Sequence, residues 1–155
     1  MVEDNNKVRL WPPCKHLCAV LIAIVATACT SRDGDKLVYA HLKRLAGSPA
    51  TDCGRVALGE DGTAANECAM AAIQKKSAFL VRYEVQGLDS RLVVGVAADD
   101  KGRVVVVKHD TEGWDPHELR PEDRLVDDNH VLVKPCDALA QLHKTERGYL
   151  SCFDR

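Results

Sequence analysis

Apolar positions change period several times along the 155 residues of this chain, and each change predicts an element. In "DKLVYAHLKRLAG", Val38, Leu42 and Leu45 recur at helical spacing, with Leu37 and His41 beside them. That spacing puts one apolar stripe on a helix. Asp35 stands where a cap belongs and Gly47 where a helix stops. "SPATDCG" then turns the chain. A second helix is predicted over residues 63–76, "TAANECAMAAIQKK". Its alanines carry high helix propensity, and the two closing lysines complement the negative end of the helix dipole.

Past residue 77 the period becomes two. Phe79, Val81, Tyr83 and Val85 alternate with Leu80, Arg82 and Glu84, the pattern of a half-buried strand. "RLVVGVA" and "RVVVVKH" are β-branched runs joined by "ADDKG", whose Asp and Gly residues suit a hairpin. Strands across residues 78–109 therefore form an antiparallel meander. Residues 104–107 are apolar on both faces, which places that strand centrally. The polar stretch 110–129, with Gly113, Pro116 and Pro121, predicts a long loop with a helical turn near "PHELR". "HVLVKPC" is a further strand ended by Pro135, "DALAQLHKTERG" a third helix starting at Asp137, and "YLSCF" a last extended piece. Helices followed by a run of strands indicate an α+β fold. The expectation is an antiparallel sheet of about four strands, with two or three helices packed on one face and the other face left to water.

Composition narrows the function. Aromatic residues make up only 5% of the chain, so Val, Leu and Ala must build the core. Lys and Arg number 21 against 23 for Asp and Glu. Without a basic field to neutralise phosphates, nucleic acid is not the expected partner. Seven cysteines in so short a chain call for an explanation by compartment.

The first residues supply one. Lys7, Arg9 and Lys15 precede an apolar run of twelve residues, 17–28. A helix of that length rises roughly 18 Å, well short of a hydrocarbon core of about 30 Å. A basic start, a short apolar middle and small residues at its end follow the plan of a secretory signal. Ala26-Thr27-Ala28 fits the A-x-A rule, with the cut before Cys29. The same junction resembles the lipobox of bacterial lipoprotein precursors, a small-residue tripeptide ending in an obligatory cysteine, although Ala26 stands where that family usually has Leu or Val. The resemblance covers residues 1–29. It implies a diacylglyceryl group on the Cys29 thiol, removal of residues 1–28, acylation of the new amino terminus and anchorage to a membrane. Residues 29–35 then form the lipidated cysteine and a polar tether, and 36–155 a single small domain. Thr30, in place of the Asp associated with inner-membrane retention in enteric bacteria, leans toward the outer membrane of a Gram-negative host. Cys53-Gly54, Cys68, Phe79 and Gly87-Leu88-Asp89-Ser90 also look like a pattern in small secreted bacterial domains of unknown function, which implies a compartment and no activity.

Cysteine parity agrees with lipidation. Loss of Cys14 and Cys18 with the signal leaves five cysteines; lipidation of Cys29 leaves Cys53, Cys68, Cys136 and Cys152, enough for two disulfides. Three connectivities remain open. The favoured sequential pairing closes loops of about fifteen residues, each contributing about 3 kcal/mol in the chain-entropy account. No C-x-x-C is present, so neither a zinc knuckle nor a redox motif is indicated.

Catalytic candidates are sparse. His109, Asp110, His117 and His130 fall in or beside the long loop, and imidazole with carboxylate suits zinc binding or general-base work. They lack H-x-x-x-H spacing, and plain exposed strand-end histidines explain them more simply. Asp89-Ser90 has no G-x-S-x-G around it and reads as a turn. Trp114 either anchors a partner or, as the simpler reading, plugs the loop onto the sheet. No cofactor is indicated. The expected function is a lipid-anchored cell-envelope binding module for a protein or cell-wall ligand; the alternative is a small periplasmic hydrolase or metal-dependent enzyme using the loop histidines.

Overall fold

Valine-rich runs without polar alternation need cover on both faces, and that requirement organises the architecture. A computed structural model describes residues 34–115, 117, 119–126, 130–137 and 141–153. The signal-like segment and Cys29 lie outside these residues. Among the described residues the chain runs as helix α1 (34–46), strand β1 (Thr51–Val56), helix α2 (Thr63–Gln74), β2 (Phe79–Gln86), β3 (Arg91–Ala98), β4 (Val104–Asp110), β5 (Arg124–Val126), β6 (Val131–Pro135), β7 (His143–Lys144) and β8 (Leu150–Ser151). Six strands form one sheet in the order β1-β2-β3-β4-β6-β5, and β7 with β8 forms a small second one. β1 runs parallel to β2; the other neighbours are antiparallel. The α+β class holds, and the fold carries two disulfides, Cys53–Cys68 and Cys136–Cys152. The pairing is the sequential one.

Several details depart from expectation. The helices do not share a face. Val38, Leu42 and Ala46 of α1 pack with Leu80, Val93, Ala97, Val107 and Val131. Ala69 and Ala72 of α2 pack with Phe79, Val81, Val94, Val96 and Val106 on the opposite side. The physical reason lies in β3 and β4, where both sets of alternating side chains are apolar, so one covered face would leave the other exposed to water. The sheet has six strands rather than about four because two were hidden. "TDCGRV" has half its residues exposed and contains Asp and Gly, yet β1 pairs with β2 through a register shift between Asp52 and Arg55. α2 makes the crossover that such a parallel pair requires, and Cys53–Cys68 ties β1 to it. β5 has only three residues. The helix expected from Asp137 is replaced at 143–144 by β7 and at 146–147 by a turn. There Cys136–Cys152 and the pairing of His143 with Ser151 hold the chain extended. Asp35 lies inside α1 rather than capping it, and its carboxylate accepts from Arg82 of β2 at 3.1 Å. Gly47, at φ 75°, does end α1. No helix among the described residues is long and apolar enough to cross a membrane.

One close approach seats α1. A Cβ on Gly95 of β3 would lie 2.5 Å from Leu42 Cδ1 and 2.7 Å from Val38 Cγ1. The missing side chain is the hole into which the helix packs. Gly95→Val should therefore lower the urea midpoint by an amount equivalent to ~1–3 kcal/mol, the usual cost of overpacking a filled core. An unchanged midpoint would show that α1 is not seated there. Reduction of the two disulfides should cost about 3 kcal/mol per loop, measured as a lower melting temperature in dithiothreitol.

Candidate functional site

Among the described residues, two open cavities lie where strands end at one end of the sheet. β1 and β2, being parallel, finish there together, the β2–β3 turn lies beside them, and the β4 exit follows. The β7–β8 hairpin folds over this end. Its turn is closed by Thr145 N–H donating to the Tyr149 carbonyl at 2.8 Å, with Gly148 at φ 88°. Tyr83 lies beneath it on the inward face of β2, 2% exposed. Its hydroxyl donates to Asn66 Oδ1 at 2.6 Å, and Asn66 Nδ2 donates to the Gly148 carbonyl at 2.9 Å. Helix α2, strand β2 and the terminal hairpin are thus joined by one buried polar chain. Burial pushes the Tyr83 phenol well above its ordinary value, so it stays neutral.

Two open cavities flank this hairpin and share Arg147 and Tyr149 as walls. The first, about 480 Å³, is bounded by Val56, Leu58, Glu84 and Tyr83. Glu84 accepts from the Leu58 amide at 3.4 Å and pairs with Arg55, fixing the loop after β1. The second, about 610 Å³, is bounded by Leu88, Ser90, Lys108 and Trp114. Arg147 reaches back to the Gln86 carbonyl at 3.2 Å. Together they make a groove of mixed polarity with aromatic walls.

Among the described residues the histidines do not come together as a metal site. His109 and His130 face each other with ring centroids 6.1 Å apart. His130 Nδ1 donates to the Asp110 carbonyl at 3.0 Å, so that nitrogen is turned to the backbone. His109 packs on the backbone of Gly34 on the α1 side of the sheet, while His117 is exposed in the loop. Among the described residues no three His, Cys, Asp or Glu side chains group to hold a metal ion. Ser90 closes the β2–β3 turn, accepting the Gly87 amide at 2.9 Å through its carbonyl. Trp114 is half-buried: its indole N–H donates to the His130 carbonyl at 3.2 Å while the ring lines the groove. Of the sequence-derived candidates, Asp89, Ser90, Asp110 and Trp114 line the groove. Tyr83, Asn66, Arg147 and Tyr149 were missed. Asn66 carried a signal, a polar residue on the buried face of an alanine-rich helix; the other three carried none.

A second polar assembly lies on the α1 face. Arg82 bonds Asp35 at 3.1 and 3.2 Å, and its guanidinium lies 4.1 Å over the Tyr39 ring. Tyr39 donates to Asp52 at 3.1 Å. This ties the start of α1 to β1 and β2.

No family model, curated protein or solved structure matches the chain.

Tyr83→Phe removes the donor to Asn66 and should cost ~1–3 kcal/mol, the penalty of leaving a buried acceptor unsatisfied. A raised phenol pKa contributes stability that is complete below the unfolded value of about 10 and is lost as pH rises above it. Urea midpoints taken from pH 8 to pH 11 should fall more steeply in the wild type than in Tyr83→Phe; parallel curves would contradict the assignment.

Proposed function

We propose that this chain is a lipid-anchored cell-envelope protein whose folded domain is a binding module for a protein or cell-wall ligand. Cysteine use carries the reading. Cys53, Cys68, Cys136 and Cys152 are consumed in two disulfides, which persist in oxidising compartments. Removal of a signal at the A-x-A site would leave Cys29 as the one cysteine over. Lipidation gives that thiol a use. One acyl chain binds a membrane marginally, whereas two or more hold it stably, at about 0.8 kcal/mol per buried methylene. The binding role is supported by the groove beside Tyr149, with its aromatic walls. The histidine-based enzyme is the less favoured reading: His109 and His130 stack on each other, but the nearby Asp110 meets the His130 ring through its backbone carbonyl, and His117 is exposed in the loop.

Growth with labelled palmitate should label the wild type, and Cys29→Ser should abolish the label and release the protein from the membrane fraction. The variant's folded domain should keep the wild-type melting temperature once purified. Absence of label on the wild type would retire the lipoprotein reading.

A further inference from the structure

We infer that the cavity walled by Trp114 holds a neutral sugar chain, the indole stacked on a sugar ring and the rim carboxylates accepting from its hydroxyls. The inference rests on the binding-module reading and names the ligand class of the same groove. Trp114 is placed for stacking. Its indole N–H donates to the His130 carbonyl at 3.2 Å, which pins the ring where β6 begins. The ring is half-buried, joins neither apolar core among the described residues, and lines the cavity of about 610 Å³. Leu88, 93% exposed at the β2–β3 turn, and Leu92 line the same cavity. The carbon-bound hydrogens of a sugar ring present an apolar face that such aromatic and aliphatic walls can cover.

The polar lining selects among ligands. Asp89, Asp110, Glu112 and Glu146 supply acceptors, while Lys108 and Arg147 supply donors. Four carboxylates against two cations disfavour an anionic ligand. Lys108, 8% exposed, and Arg147, which also donates to the Gln86 carbonyl, put positive charge in the same walls and disfavour a polycation. A hydroxyl both donates and accepts, so a neutral polyhydroxylated chain meets both kinds of wall. A peptide adding as a strand needs an unpaired edge, and β2, β3 and β4, whose ends bound the cavity, are each paired on both sides. Arg147 and Tyr149 also wall the adjoining cavity, which gives a chain longer than one sugar room to continue.

The test is calorimetric titration of the native protein with cellotetraose and with tetra-N-acetylchitotetraose, two neutral β-linked tetrasaccharides. At least one should bind saturably with Kd below about 1 mM, at low and high salt alike. Trp114→Ala should weaken that binding about tenfold, and Trp114→Phe, which keeps a ring, much less. Trp114→Ala also removes the bond to His130, so Glu146→Gln, at an exposed position, keeps the test independent of folding; it should weaken binding several-fold with an unchanged melting temperature. Saturable binding of hexalysine and of neither sugar overturns the sugar assignment and leaves the binding module standing. Sugar binding that both Trp114→Ala and Glu146→Gln leave intact lies elsewhere and overturns the site. No binding of any of the three overturns the sugar assignment, while labelling by palmitate still decides the anchor separately.

Discussion

Leu42 and Val38 occupy the space that a side chain on Gly95 would fill, and much else follows from that seat. It lays α1 along one face of the sheet, sets its direction, and so determines where the chain enters the domain. The Asp35–Arg82 pair and the Tyr39 ring beneath Arg82 secure the same helix at its beginning. Arg82 Nε, buried and with no hydrogen-bond partner among the described residues, shows how tightly this corner is closed. The helix therefore serves both as cover for the second apolar face and as the fixed attachment of whatever precedes it.

The opposite face is held by different means. Its core is built on Phe79, Val81, Val94, Val96 and Val106, and it is closed at its margins by the two disulfides. One binds edge strand β1 to α2; the other draws the terminal hairpin onto the strands. The edges of the sheet are blunted by the irregularity in β1 and the brevity of β5, devices that discourage strand-to-strand association. Deep in the polar loop, the Asp123 side chain is buried but bonded by Arg120 and Lys134. Burial raises its pKa, and the hydrogen bonds from Arg120 with the charge of Lys134 more than reverse that, so it is held below the ordinary carboxylate range.

Periodicity made the main elements legible. The stripe of Val38, Leu42 and Leu45, the alanines of α2 and the alternation in β2 each satisfied one template, and tertiary structure did not overrule them. β1 was not legible, because an exposed Asp- and Gly-containing segment becomes a strand only when β2 and Cys68 are beside it. Nor was the layering: the valines of β3 and β4 state that both faces are buried without saying what covers them. Around Asp137 local helix propensity misled, since a disulfide and a hairpin pairing outweigh a few tenths of a kcal/mol per residue. The groove was least legible. Its walls come from the loop after β1, the β2–β3 turn, the β4 exit and the last hairpin, which no local spacing connects, whereas the eye-catching His109 and His130 stack on each other outside it.

Intact mass of the native protein, extracted from membranes and left unreduced, bears most directly on the account. A chain that starts at residue 29, carries a diacylglyceryl thioether and an amide-linked acyl group, and is four hydrogens lighter than its fully reduced form is the expected result. A species starting at Met1, bearing no lipid and retaining free thiols, would contradict it.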